Sequence, residues 1–177
     1  MKIRTYILPP AVGLLTMAAG QLPAGATDSV LKVTGKVVAS GCEVEFNKKV
    51  TIGTFSGKDF PVVGSTSAFK AMNIDLTDCY SKLASVSVSF SGVPDKDNPT
   101  LLGLTDSGTG GTVASGVGVE LLDNGGKTIP FDKPKPQVFA LDEGSNTLSF
   151  LLRYKSTKVP VTPGDAAAVL YFDLTYQ

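Results

Sequence analysis

Apolar and polar residues alternate with a period of two along most of this chain. In ASVSVSFSG, Val86, Val88 and Phe90 alternate with Ser85, Ser87, Ser89 and Ser91. Met72, Ile74 and Leu76 alternate with Asn73, Asp75 and Thr77, and Leu148, Phe150, Leu152 and Tyr154 recur at every second position of NTLSFLLRYK. This is the pattern of strands with one buried and one wetted face. Turn signals separate them: SGVPDKDNP, DSGTGG and DNGG. The last predicts a hairpin between GVGVELL and KTIPF, because Asn-Gly tolerates positive φ. No segment beyond residue 26 keeps a 3.6-residue apolar period over the length of a helix. Short strands spaced by such turns predict an all-β chain folded as an immunoglobulin-like β-sandwich.

Both ends carry further strands. In LKVTGKVVA, Leu31, Val33, Gly35, Val37 and Ala39 fall on one face, with Lys32, Thr34 and Lys36 on the other. At the far end, Ala168, Leu170, Phe172, Leu174 and Tyr176 share a face, against Val169, Tyr171, Asp173, Thr175 and Gln177. Periodicity alone makes these the first and last strands of an ordinary sandwich.

The opening residues change that picture. Lys2 and Arg4 precede an apolar run from Ile7 to Ala19, followed by small residues ending in Ala24-Gly25-Ala26. The run is broken by Pro9 and Pro10 and is too short for a bilayer core of ~30 Å, so residues 1–26 are expected to be a secretory signal peptide. The remaining chain suits one domain. Without Lys2 and Arg4 it keeps 14 basic against 16 acidic residues, which argues against nucleic acid or an anionic membrane as partner. Export brings the two cysteines, Cys42 and Cys79, into an oxidising compartment, where a single disulfide is expected. Closing a loop of that size contributes about 4 kcal/mol in the chain-entropy account.

Taken together, the N-terminal alternating strand with central Gly35, Cys42 shortly after it, Cys79 at a later strand, Gly164 near the C-terminus and penultimate Tyr176 resemble the type 1 fimbrial pilins of the chaperone/usher pathway. FSGVPDKDNPTLLGL, ASGVGVELLDNGGKTIPF and KVPVTPGD are similar to family segments in the family's order, most closely those of its minor tip (adaptor) subunits. The resemblance implies an incomplete immunoglobulin-like sandwich, residues 41–177, lacking its last strand, with residues 27–40 as a donor-strand extension. The donor stripe would be Leu31, Val33, Gly35, Val37 and Ala39. The chaperone and acceptor site would comprise Gly164, Ala168, Leu170, Phe172, Leu174 and Tyr176. Implied partners are a periplasmic fimbrial chaperone, an outer-membrane usher and neighbouring pilin subunits, with export through the periplasm to a cell-surface fimbrium supporting adhesion. Strand addition of this kind is a known recognition mode, with pilins among its standard examples. Three large aliphatic donor side chains at ~1.5 to 3 kcal/mol each contribute roughly 5 to 9 kcal/mol before ordering costs.

Other chemistry has little support in the residues. The chain has no histidine, which removes His-based triads, and both cysteines are assigned to the disulfide. Asp95 with Asp97, and Asp142 with Glu143, are carboxylate pairs in turn-rich stretches, better read as solvated loop acids. Asp95, Asp97 and Asn98 lack the glycine and distal glutamate of the known calcium loop. No enzyme activity, metal, cofactor or small-molecule substrate is expected. Two alternatives share the fold: a terminating or anchoring pilin, and a sugar-binding β-sandwich adhesin. Against the adhesin, tryptophan is absent and no aromatic platform stands out.

Overall fold

The computed structural model describes residues 41–44, 49–106, 108 and 110–177. The signal peptide and the stripe Leu31, Val33, Gly35, Val37 and Ala39 lie outside the described residues. Among those described are seven strands: β1 (Glu43–Val44), β2 (Lys70–Cys79), β3 (Ser85–Gly92), β4 (Val117–Asp123), β5 (Gln137–Ala140), β6 (Gly144–Ser156) and β7 (Leu170–Tyr176). They form two antiparallel sheets, ordered β1-β2-β6-β4 and β5-β3-β7.

The period-two readings become the two inner faces. Met72, Ile74 and Leu76 of β2 and Leu148, Phe150, Leu152 and Tyr154 of β6 face Val86, Val88 and Phe90 of β3, all buried. Phe150 stitches the sheets together. It is fully buried and meets Phe90 and Phe139 edge-on, at ring separations of 4.8 and 5.6 Å, the arrangement favoured by ring quadrupoles.

Strand β4 reads differently from its neighbours, because six consecutive residues, Val117 to Leu122, are buried. Its core face carries Val117, Val119 and Leu121. Its other face is covered from outside: a Cβ on Gly118 would come 3.1 Å from Leu101. Glu120 is shut in with it, only 1% exposed. Its carboxylate accepts hydrogen bonds from Arg153 Nε at 2.6 Å, Lys155 Nζ at 2.8 Å and Thr128 Oγ1 at 2.9 Å. Burial alone would push this carboxyl up. The hydrogen bonds from Lys155, Arg153 and Thr128 outweigh burial and hold it below the usual carboxylate range.

The DNGG turn does close as a hairpin, with one difference from the sequence reading. Gly126 N–H donates to Asp123 O, and the positive φ of 81° falls on Gly126, not on Asn124. A turn followed by a left-handed glycine is the three-residue hairpin loop with a bulge. The returning segment pairs with β4 at the Leu122–Thr128 bridge, through Asp123 N–H to Lys127 O at 2.9 Å and Ile129 N–H to Leu121 O at 2.8 Å. Pro130 has no N–H to extend that ladder.

Two outcomes test this packing. Phe150→Ala leaves a cavity shared by both sheets and is expected to lower stability by about 3 to 5 kcal/mol, read as a fall in the urea midpoint. Glu120 has a lowered folded pKa, so its contribution is present above the unfolded glutamate value of about 4.3 and is lost as pH falls through the folded value. Thermal melts from pH 6 downward should therefore show Glu120→Gln with a shallower acid decline than the parent chain.

Candidate assembly site at the open edge of β7

The edges of the two sheets are finished in different ways. On the outer side of β4, Leu102 exchanges both backbone hydrogen bonds with Val119, at 2.8 and 2.9 Å, so that edge is paired. Strand β5, with four residues, is too short to offer much ladder, and β1 has two among the described residues. Strand β7 is seven residues long and, among the described residues, pairs only with β3.

The register identifies which backbone groups remain open. Gln177 and Ser85 donate to each other's carbonyls, which makes them a hydrogen-bonded pair. Alternation then directs the N–H and C=O groups of Tyr171, Asp173 and Thr175 toward β3. Those of Leu170, Phe172, Leu174 and Tyr176 point the other way, to the open edge. The same four residues turn their side chains toward the core.

Their burial differs from that of their partners on β3. Val86, Val88 and Phe90, their partners on β3, are at most 3% exposed. Leu170, Phe172, Leu174 and Tyr176 pack on the same core yet are only half-buried. Inward-facing residues of a sandwich keep this much exposure at an edge that, as here among the described residues, is paired on one side only. Ala168 also packs against the core but precedes the ladder, which begins at Leu170, two residues after the predicted face starts. The chain ahead of it is tied at Ala167 by a bridge to Thr105.

Gly164 sits where two backbones cross. A Cβ there would lie 2.6 Å from Ala114 N and nearer still to Thr112 O. Around it Asp165 N–H donates to Thr112 O at 2.8 Å, and Ala114 N–H donates to Asp165 O at 2.9 Å. The residue is thus required by close approach of backbones, a role periodicity could not reveal.

The other end of β7 meets the start of the described chain. The ring of Tyr176 lies against Gly41, where a Cβ would fall 2.8 Å from Cδ2. The Tyr176 hydroxyl is buried without a hydrogen-bond partner among the described residues. Next to Gly41, Cys42 forms the expected disulfide with Cys79. A local defect makes that possible. Even-numbered residues of β2 point inward, so an unbroken strand would turn Cys79 outward. The register shifts between Leu76 and Cys79, and Asp78 takes a φ of 50°. This inserted residue turns Cys79 into the core, where it is 4% exposed. Aspartate tolerates the left-handed region better than most residues, but nothing in the alternating pattern marks the position.

Of the carboxylate pairs, Asp95 closes its loop: its Oδ1 accepts from the N–H groups of Asp97 and Asn98, and Asn98 Oδ1 accepts from Thr100, both Asx-type closures. Asp142 engages through its backbone, its N–H donating to Asn146 Oδ1 and its carbonyl accepting from Asn146 Nδ2. Among the described residues no three His, Cys, Asp or Glu side chains cluster in a way that could hold a metal ion.

Comparison with known proteins agrees with this architecture. The fimbrial protein family model matches residues 31–177. The chain is 41% identical over 158 residues to the uncharacterized fimbrial-like protein YcbU of Escherichia coli K12, covering 87% of each. It is 35% identical over 174 residues to the fimbrial subunit type 1 of Salmonella typhimurium, covering 94% of this chain and 92% of that one. Among solved structures, the Burkholderia pseudomallei antigen and type I fimbria protein superposes with a TM-score of 0.58 at 34% identity, over 78% of this chain and 91% of that one.

The bulge generates its own prediction. A β-branched residue is strained at positive φ, so Asp78→Val should cost about 1 to 3 kcal/mol and slow disulfide formation, while Asp78→Gly should not. Thiol titration during oxidative refolding reads the difference.

Proposed function

Because the chain belongs to the fimbrial protein family, we propose that it is a structural pilin that polymerises by donor-strand complementation, with β7 as the acceptor edge and residues 27–40 as the strand it lends. The observation that carries this reading is the coincidence on β7 of open backbone groups and half-buried apolar side chains at the same four residues. An incoming strand would satisfy the N–H and C=O groups of Leu170, Phe172, Leu174 and Tyr176 and complete the burial of their side chains. The predicted donor stripe has five positions at a spacing of two, Leu31 to Ala39, against five on the acceptor, Ala168 to Tyr176. The apolar positions therefore match in number and period.

The direction of entry follows from what already occupies one end. The acceptor's own chain leaves beside Tyr176, at Gly41. A neighbouring body has no room there, so the donor strand would run antiparallel to β7. Leu31 would then lie toward Tyr176 and Ala39 toward Ala168.

An edge with exposed apolar side chains is an aggregation hazard until covered, which is the reason for a periplasmic chaperone that holds β7 before the outer-membrane usher exchanges it for a donor. Gly164 and Tyr176 belong to this reading as chaperone-facing residues. Export through the periplasm to a surface fimbrium, and the absence of enzymatic activity, belong to the same proposal.

The test is assembly. Val33→Asp places a charge on the donor stripe and Gly35→Asn a side chain where the backbones approach. Both variants should fold and bind chaperone as acceptors, yet be missing as donors, giving fibres at least about tenfold fewer by electron microscopy, the equivalent of 1.4 kcal/mol or more lost at each joint. Fibres of normal number and length from both variants would refute the reading.

A further inference from the structure

Exposed apolar side chains cluster at one end of the acceptor edge, on the face turned away from the core. Tyr171 is 62% exposed and Val169 51%. The β3–β7 register, which ends at Gly92–Leu170, places Val93 opposite Val169 when continued by one pair, and Val93 is 76% exposed. Val93 and Val169 thus each adjoin the Gly92–Leu170 pair that ends the register, and with Tyr171 they gather exposed apolar side chains at this end. Further along, the same face of β3 is polar, lined by Ser85, Ser87 and Ser89. Apolar side chains at such exposure in one place mark a contact surface more than a solvated face does.

We propose that this patch is the docking surface for the folded body of the neighbouring subunit that donates its strand, which is a second copy of this chain or a related pilin. The inference rests on the donor-strand reading above and deepens it. Two observations select the occupant. The patch is continuous with the end of β7 at which an antiparallel donor must leave. Moreover, Ser40 alone separates Ala39, the last position of the donor stripe, from Gly41 at the start of the body. Two residues of extended chain reach at most ~7 Å, so the donating body is held against the mouth of the groove and has to touch what surrounds it. The surface it brings includes Tyr80, 43% exposed beside the Cys42–Cys79 disulfide that anchors the tether. An aromatic residue meeting an aliphatic and aromatic patch is the composition typical of interface cores.

Hydroxyl-radical footprinting of intact fibres provides the test. Val138 lies on the outer face of the same sheet at its other edge and is 66% exposed, close to Tyr171, so it serves as an internal reference. With each residue normalised to its reactivity in the unfolded chain, Tyr171 should be protected about fivefold more than Val138, in proportion to the area it loses in an interface core. Equal protection of the two in fibres overturns the inference. A second measurement uses Val93→Ser, Val169→Ser and Tyr171→Ser together, which leave the groove side chains untouched. These fibres should form but bend more, with a persistence length in micrographs at least about twofold shorter, because the joint keeps its strand and loses its lateral contact. An unchanged persistence length also overturns the inference. Failure of the donor-strand reading looks different: it is normal assembly by Gly35→Asn, whatever the footprint.

Discussion

The structure depends on an unsatisfied edge. A strand in a sandwich core needs neighbours on both sides, one set of hydrogen bonds for each edge and one side-chain row for each flank. On β7 the inner edge is paired with β3 while, among the described residues, the outer edge is not. Elsewhere the molecule closes such edges with its own backbone, as Leu102 does for β4. This contrast is what the proposed acceptor role of β7 rests on. The free energy of completing it is available to whichever chain supplies the strand.

The rest of the body holds that edge in place and ready. Phe150 locks the two sheets face to face, so β7 is held at a fixed distance from the opposite sheet. The bulge at Asp78 turns Cys79 inward, the disulfide fixes Cys42, and Gly41 is thereby held beside Tyr176. In the proposed reading, the strand-lending segment then departs beside Tyr176 and a neighbouring body arrives at the Ala168 end, which is the polarity required for a heterologous contact that repeats without closing.

Much of this was legible in the sequence because burial on one face forces a period of two. Met72 to Leu76, Val86 to Phe90, Leu148 to Tyr154 and Leu170 to Tyr176 were all readable as strands with the correct inward face. The disulfide followed from compartment and count. Strand β4 was less transparent, since Glu120 lies in a run buried on both faces and its partners Arg153 and Lys155 are distant in sequence. The bulge at Asp78 and the crossing at Gly164 are backbone events with no periodic signature. That β7, among the described residues, is paired on one side only could not be read from its alternation, which is the same for an edge strand and a central one. The resemblance to pilins supplied that expectation, and half-burial of Leu170, Phe172, Leu174 and Tyr176 gave it a physical form.

The most direct measurement is amide hydrogen exchange on the chain lacking residues 27–40, with and without a separate peptide of those residues. Groups directed at β3, the amides of Tyr171, Asp173 and Thr175, should be protected in both samples. Those of Leu170, Phe172, Leu174 and Tyr176 should exchange freely until the peptide is added and then become protected. If all seven are equally protected before any peptide is present, the edge is already satisfied and the account of an incomplete sandwich is wrong.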